Sequence, residues 1–144
     1  MVDLFDGPLD ETLRTLSLAG LGDAFVMLRR PSQASDGQRY RLRLAHALRL
    51  AAATPEGVLP VILADEFGAT LDRTTAKAVA AGVRKWVARS RACLVAATTH
   101  DDLLEPLAPD VLIEKGLGDA IEVLCRGEVQ RQDAEGEERG RVRR

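Results

Sequence analysis

The sequence predicts an α/β fold, with a partial parallel sheet and flanking helices. Two short apolar runs, 58–64 and 92–97, have the composition of parallel strands that are buried on both faces. Between them, alanine and valine recur at helical spacing over 73–89. A strand, a helix and a strand in this order form a βαβ unit, whose two strands are parallel.

The part of the chain before the first strand is predicted to be helical. Leucines at helical spacing indicate a short helix over 10–18, and a second helix over 23–29 ends before Pro31, because the residue before a proline disfavours helix. Residues 31–36 are expected to form a polar loop. The clearest prediction is a helix over 37–53, with Ser35 or Asp36 as its N-cap.

Shorter elements are predicted after the second strand. Residues 101–107 indicate a short helix, and 111–113 and 120–124 indicate two terminal strands. From residue 126 the chain is charged and lacks apolar periodicity, which predicts a disordered tail. The predicted organisation is therefore a helical subdomain at 1–53, an α/β core at 54–125 and a tail at 126–144.

Composition limits the classes of function. A chain of 144 residues suits one compact domain, and its net charge of −2 does not favour nucleic acid or an anionic membrane as a partner. No apolar run approaches the roughly 18 residues of a membrane span, and no signal peptide is visible. Cys93 and Cys125 have no CxxC spacing and are expected to be buried free thiols. We therefore expect a cytoplasmic protein without a membrane partner.

Acidic residues and a histidine follow the two predicted strands. Asp65 and Glu66 follow the first strand and His100 follows the second. Because the carboxyl ends of neighbouring parallel strands share one sheet edge, these side chains are expected to lie together, where α/β proteins bind ligands. There a carboxylate can hold Mg²⁺, a second can act on water, and an imidazole can bind phosphate. The alternative is that they are solvated residues at strand ends.

A candidate anion site precedes the longest predicted helix. Ser35, Gly37 and Gln38 lie at its N-terminus, where unpaired N–H groups and the helix dipole favour negative charge. The alternative is an ordinary N-cap. Arginines in this helix are spread around it and do not form one stripe, so nucleic-acid binding is not favoured, and His46 is expected to be solvated.

The order of these segments resembles the C-terminal half of ABC-type ATPase domains. Residues 34–38 resemble the signature motif, 61–66 the Walker B strand, 69–72 the D-loop, and His100 the switch histidine. The resemblance covers about residues 10–125 and is closest to a soluble branch that is joined to a predicted acetyltransferase domain. This chain departs from the pattern at three positions: Ala34 replaces the usual leucine, Asp36 replaces the first glycine, and Phe67 stands where transporters often have proline.

The resemblance implies ATP and Mg²⁺ as cofactors. By that resemblance Asp65 would organise the metal, Glu66 would act as base and His100 would contact the γ-phosphate. In this family two subunits enclose the nucleotide, so the signature motif contacts ATP that is bound to the opposite subunit. The ATP-contacting residues implied are Ser35, Gly37, Gln38 and Asp72.

The phosphate-binding half of such a site is missing from the sequence. A P-loop needs a Gly-Lys pair within G-x-x-x-x-G-K-[ST], and none of the lysines, Lys77, Lys85 and Lys115, follows a glycine. We therefore expect a partner, either a P-loop-bearing homologous ATPase subunit or an N-terminal half, with an associated acetyltransferase domain as a further expectation. The chain alone should be inactive and should expose an apolar sheet face. The alternative is a non-catalytic regulatory module that pairs with a full-length homologue.

Overall fold

The computed structural model describes residues 1–116, 118 and 121–126. It is a mixed α/β structure with two compact units, 1–107 and a second that begins at Ala108, and each is described by itself. The helices and strands of the first unit are, in order, α1 Leu9–Leu18, α2 Ala24–Leu28, α3 Asp36–Ala52, β1 Val61–Ala64, α4 Arg73–Val87, β2 Cys93–Ala96 and α5 Leu104–Leu107.

The predicted βαβ unit is present. Strands β1 and β2 are parallel and adjacent, with Val61 opposite Cys93 and Ala64 opposite Ala96, and α4 connects them. Strand β1 begins later than predicted, after Pro60, which has no N–H to donate to a neighbouring strand. The Pro60 carbonyl still accepts a hydrogen bond from the Cys93 N–H at 2.9 Å.

Among the residues that the structure describes, only one face of the β1–β2 pair is covered. Side chains alternate between the two faces of a strand, and Ile62 lies in the core while Val61, Leu63 and Val95 are 53%, 76% and 53% exposed. The prediction that both strands are buried on both faces is therefore wrong. The expected uncovered apolar face is present, and we call Val61, Leu63, Cys93 and Val95 the open face.

The prediction that both cysteine thiols are buried is also wrong. Cys93 is exposed on the open face and Cys125 is half-buried. Both thiols are free, as predicted, but neither is fully buried. An apolar run of sequence indicates a strand without telling which of its two faces will be covered.

Helix α3 contributes to two hydrophobic clusters. Leu44 and Leu48 pack in a cluster with residues of β1 and α4, and Leu42 and Ala45 pack in a second cluster with residues of α1 and α2. His46 of the same helix stacks on Phe5, with ring centroids 4.3 Å apart. The prediction that His46 is simply solvated is therefore wrong.

Two other predicted segments differ in detail. A 3₁₀ turn occupies Pro31–Gln33, within the segment that is predicted as a polar loop. Residues 101–107 form a 3₁₀ turn, Asp101–Leu103, that leads directly into α5. Within the described ranges, no helix is long and apolar enough to cross a membrane.

The second unit contains an antiparallel pair of strands. Strand β3, Val111–Lys115, pairs with β4, Ile121–Cys125, so that Val111 lies opposite Cys125. Arg126 donates a hydrogen bond to the Asp110 carboxylate at 3.2 Å and another to the Ala108 carbonyl. The rest of the predicted tail, 127–144, lies outside the described residues.

Candidate functional site

A tight turn after β1 carries the two candidate carboxylates. Asp65 and Glu66 are both exposed, and the Glu66 N–H donates a hydrogen bond to Asp65 Oδ1 at 3.0 Å. Glu66 has a φ of +50°, the left-handed region that costs a non-glycine residue about 1 kcal/mol or more. Strained backbone of this kind is concentrated at functional sites.

Hydrogen bonds join this turn to the segment that carries His100. The Phe67 N–H donates to the Ala97 carbonyl at 2.7 Å, and Thr98 Oγ1 donates to the Phe67 carbonyl at 3.1 Å. Thr98 Oγ1 also accepts a hydrogen bond from the His100 N–H at 3.2 Å. The ends of β1 and β2 therefore bring the backbone of 65–67 and of 97–100 together, at the edge where the candidate residues are predicted.

Phe67 and Gly68 anchor the turn after β1 to the hydrophobic core. Phe67 is fully buried and lies edge-on to Tyr40, with ring centroids 6.4 Å apart. The Tyr40 hydroxyl accepts a hydrogen bond from the Gly68 N–H at 3.1 Å, and burial raises the pKa of Tyr40. Phe67 is thus a core residue.

Ser35 and Gln38 form a reciprocal cap at the start of α3. Ser35 Oγ accepts a hydrogen bond from the Gln38 N–H at 3.2 Å, and Gln38 Oε1 accepts one from the Ser35 N–H at 3.1 Å. The N-cap prediction for Ser35 is confirmed. The first N–H groups of a helix, here those of Asp36 and Gly37, have no acceptor within the helix, so they remain suited to an anion.

Gly37 lets the start of α3 approach the turn before α4. A Cβ at Gly37 would lie 3.2 Å from both the Thr70 carbonyl oxygen and Leu71 Cδ2. Those distances are tighter than ordinary van der Waals contact. The segment that resembles the signature motif therefore packs against the segment that resembles the D-loop.

Asp72 is the N-cap of α4. Its Oδ1 accepts a hydrogen bond from the Thr75 N–H at 2.9 Å, and its hydrogen bonds with Thr75 hold the pKa of Asp72 below its usual range, with a smaller contribution from the charge of Arg41. Arg41 itself donates to the carbonyls of Gly37 and Gly20, at 3.1 Å and 2.5 Å. Asp72 thus has a structural role, and contact with a nucleotide stays a prediction.

An ion pair that the sequence does not indicate lies beside His100. Arg73 binds Asp102 through two nitrogens, with Nε 3.1 Å from Oδ2, and Lys77 Nζ lies 3.4 Å from the same carboxylate. The hydrogen bond with Arg73 is the main cause that lowers the pKa of Asp102. Arg73 and Asp102 are distant in sequence and belong to no local pattern, so only the fold could reveal them.

The donor set at the strand ends is sparse. Among the described residues, no group of three or more His, Cys, Asp or Glu side chains could hold a metal ion. Mg²⁺ does not need such a cage, because it is commonly held by one or two carboxylates together with waters and substrate phosphates. Asp65, exposed and with one oxygen in a hydrogen bond, fits that lesser requirement.

A cleft of about 830 Å³ lies elsewhere in the first unit. Its lining includes Phe5, His46, Arg49 and Trp86, and none of the predicted site residues contributes to it. Arg49 is already neutralised by an ion pair with Glu11 and also donates to the Asp6 carbonyl.

Comparison with known proteins supplies no relative. No family model, no curated protein and no solved structure matches this chain.

Proposed function

We propose that this chain carries the signature and Walker B half of an ABC-type ATP-binding and hydrolysis site, within a P-loop NTPase fold that another polypeptide segment completes. The observation that carries the proposal is the hydrogen-bonded junction of 65–67 with 97–100, at the carboxyl ends of two adjacent parallel strands. This is the place where open α/β sheets bind their ligands.

Each residue of the junction has a distinct task in this proposal. Asp65 would hold Mg²⁺, which when bound neutralises charge on the phosphates. Glu66 orients the attacking water and accepts its proton, and its exposed carboxylate is free to do so. His100 donates a hydrogen bond to the terminal phosphate. Together these groups form the hydrolytic side of a site whose phosphate cradle lies on another segment.

The start of α3 serves a second site in this proposal. The N–H groups of Asp36 and Gly37, with Ser35 and Gln38 beside them, face ATP that is held by a P-loop-bearing partner. Neither Ser35 nor Gln38 has to leave the cap for these N–H groups to act. Asp72 contributes by fixing the neighbouring turn.

Two observations support the need for another segment. The chain has no Gly-Lys pair, so it has no P-loop lysine of its own. The open face of the β1–β2 pair exposes valine and leucine side chains, whereas parallel sheets are almost always covered on both faces. A P-loop-bearing subunit or an N-terminal half would supply the P-loop lysine and would cover the open face.

The second candidate function is a non-catalytic module that pairs with a full-length homologous ATPase and regulates it. The observation that favours it is the same open face, which can bind a partner without any chemistry at the strand ends. In that case the residues at the start of α3 would not be needed for the effect on the partner. The two candidates therefore differ in what substitutions at Ser35 should do.

The test mixes the purified chain with a P-loop-bearing ABC-type ATPase subunit encoded in the same genome and measures its ATPase rate. We expect the rate to change several-fold and Ser35→Arg to abolish the change, because a bulky side chain there blocks the approach of phosphate to the helix N-terminus. Glu66→Gln should leave the change largely intact, since Glu66 belongs to the site that lacks a P-loop.

The matched control is Ser32→Arg, in an exposed turn of the same loop, which should behave as the unmodified chain. If Ser35→Arg and Ser32→Arg both leave the rate change intact, the regulatory module is the better account. If the folded chain has no effect on the partner's rate, the proposed trans site is wrong.

A further inference from the structure

We infer that Thr98 and the Arg73–Asp102 ion pair together form a positioning clamp that holds His100 at the candidate site. The inference rests on the proposed function for the role of His100, but the clamp itself is defined by the contacts of three side chains. None of these three residues is itself proposed to contact the nucleotide, so they are positioning residues.

The first anchor is the Thr98 hydroxyl. It accepts a hydrogen bond from the His100 N–H at 3.2 Å and donates one to the Phe67 carbonyl at 3.1 Å. A hydroxyl can donate and accept at the same time, which a methyl group of the same size cannot. Thr98 therefore links the backbone of His100 directly to the turn that carries Glu66.

The second anchor holds the 3₁₀ turn that follows His100. Arg73, the first residue of α4, binds Asp102 in that turn through two nitrogens. This bidentate geometry fixes the orientation of the pair as well as its distance. The next residue, Leu103, is fully buried, and its N–H donates to the His100 carbonyl at 3.1 Å. Both backbone polar groups of His100 are thus bonded, one on each side of the residue.

The consequence is a fixed histidine backbone beside a strained turn. Catalytic groups must be held within a fraction of an ångström of their working position, usually by side chains that do no chemistry themselves. The two anchors meet this need because they connect His100 to β1 through Phe67 and to α4 through Arg73. A substitution at either anchor should loosen His100 and leave the strand pairing intact.

The experiment measures amide hydrogen exchange by NMR on the full chain, without nucleotide. Thr98→Val should speed exchange of the His100 N–H about fivefold or more, the size expected when one hydrogen bond is lost. The Ala97 N–H, which donates to the Ala64 carbonyl at 2.9 Å, should exchange at the unmodified rate. Thr98→Ser keeps the hydroxyl and should restore protection at His100.

A second pair of variants tests the other anchor if Thr98→Val does not fold. Asp102→Asn should speed exchange at His100 and Leu103, while the matched control Asp101→Asn, at the exposed neighbouring position, should not. Unchanged exchange at His100 in Thr98→Val or in Asp102→Asn, or no rescue by Thr98→Ser, would overturn the clamp. Because the readout needs no ATP, a failed clamp and a failed ATPase proposal are distinguishable.

Discussion

At the scale of single residues, the turn after β1 depends on Glu66 and Gly68, which both have positive φ angles. Gly68 has a φ of +76°, and a Cβ there would lie 3.2 Å from Leu103 Cδ1, in the turn that follows His100. Glycine is required at this position for two reasons, the backbone conformation and the close approach. Glu66 bears a similar backbone strain without being a glycine, and strain of this kind is concentrated at functional sites.

The prediction at this scale compares substitutions of two glycines. Gly68→Ala should lower the free energy of unfolding by about 2–3 kcal/mol, from the left-handed backbone together with the contact with Leu103. Gly57→Ala is the matched control, since Gly57 has a φ of +86° with nothing within 4 Å of its Cβ position, and should cost about 1 kcal/mol. Urea denaturation measures both, and equal losses would mean that the packing of Gly68 contributes nothing.

At the scale of elements, the sequence predicts more about the presence of helices and strands than about their surroundings. The apolar runs before Asp65 and before Thr98 do form parallel strands, and the pattern of 73–89 does form the connecting helix α4. The prediction that both faces of the two strands are buried is wrong, because apolar composition does not reveal whether a covering layer is present. The contacts of Arg73 with Asp102 and of Tyr40 with Gly68 join distant segments, so no local pattern could indicate them.

The prediction at this scale distinguishes the two faces of β1. Leu63→Lys should leave the thermal midpoint nearly unchanged and reduce self-association, because Leu63 is 76% exposed on the open face. Ile62→Lys, its neighbour on the covered face, is the matched control and should prevent stable folding, since Ile62 is 6% exposed and a lysine there would bury a charge.

Light scattering after gel filtration and a thermal melt provide the measurements. The unmodified chain should elute as oligomers or aggregate, and Leu63→Lys should shift it towards monomer. An unmodified chain that is already monomeric with a cooperative melt would contradict the idea that the open face needs cover.

At the scale of the whole molecule, two sets of candidate residues are positioned by different parts of the fold. Asp65, Glu66 and His100 belong to the junction of β1 and β2, whereas Ser35, Gly37 and Gln38 belong to the capped start of α3. The sequence predicts both sets, because each lies at the end of a strand or the start of a helix, where local patterns are informative. It does not predict the side chains that hold them, Thr98, Arg73, Asp102 and Tyr40, since those contacts depend on the fold.

At this scale we expect the chain to complete an ATP site on a partner. The start of α3 offers N–H groups for a phosphate, and the chain itself has no P-loop to hold one. Nucleotide should therefore strengthen binding between this chain and a P-loop-bearing subunit, with ATP lying between them.

Sedimentation velocity of the two proteins, with and without a Mg²⁺-bound non-hydrolysable ATP analogue, measures this effect of the nucleotide. We expect the analogue to strengthen the association at least tenfold, about 1.4 kcal/mol, and Ser35→Arg to remove that gain while Ser32→Arg keeps it. Association of the same strength without the analogue, or with Ser35→Arg in its presence, would contradict the claim.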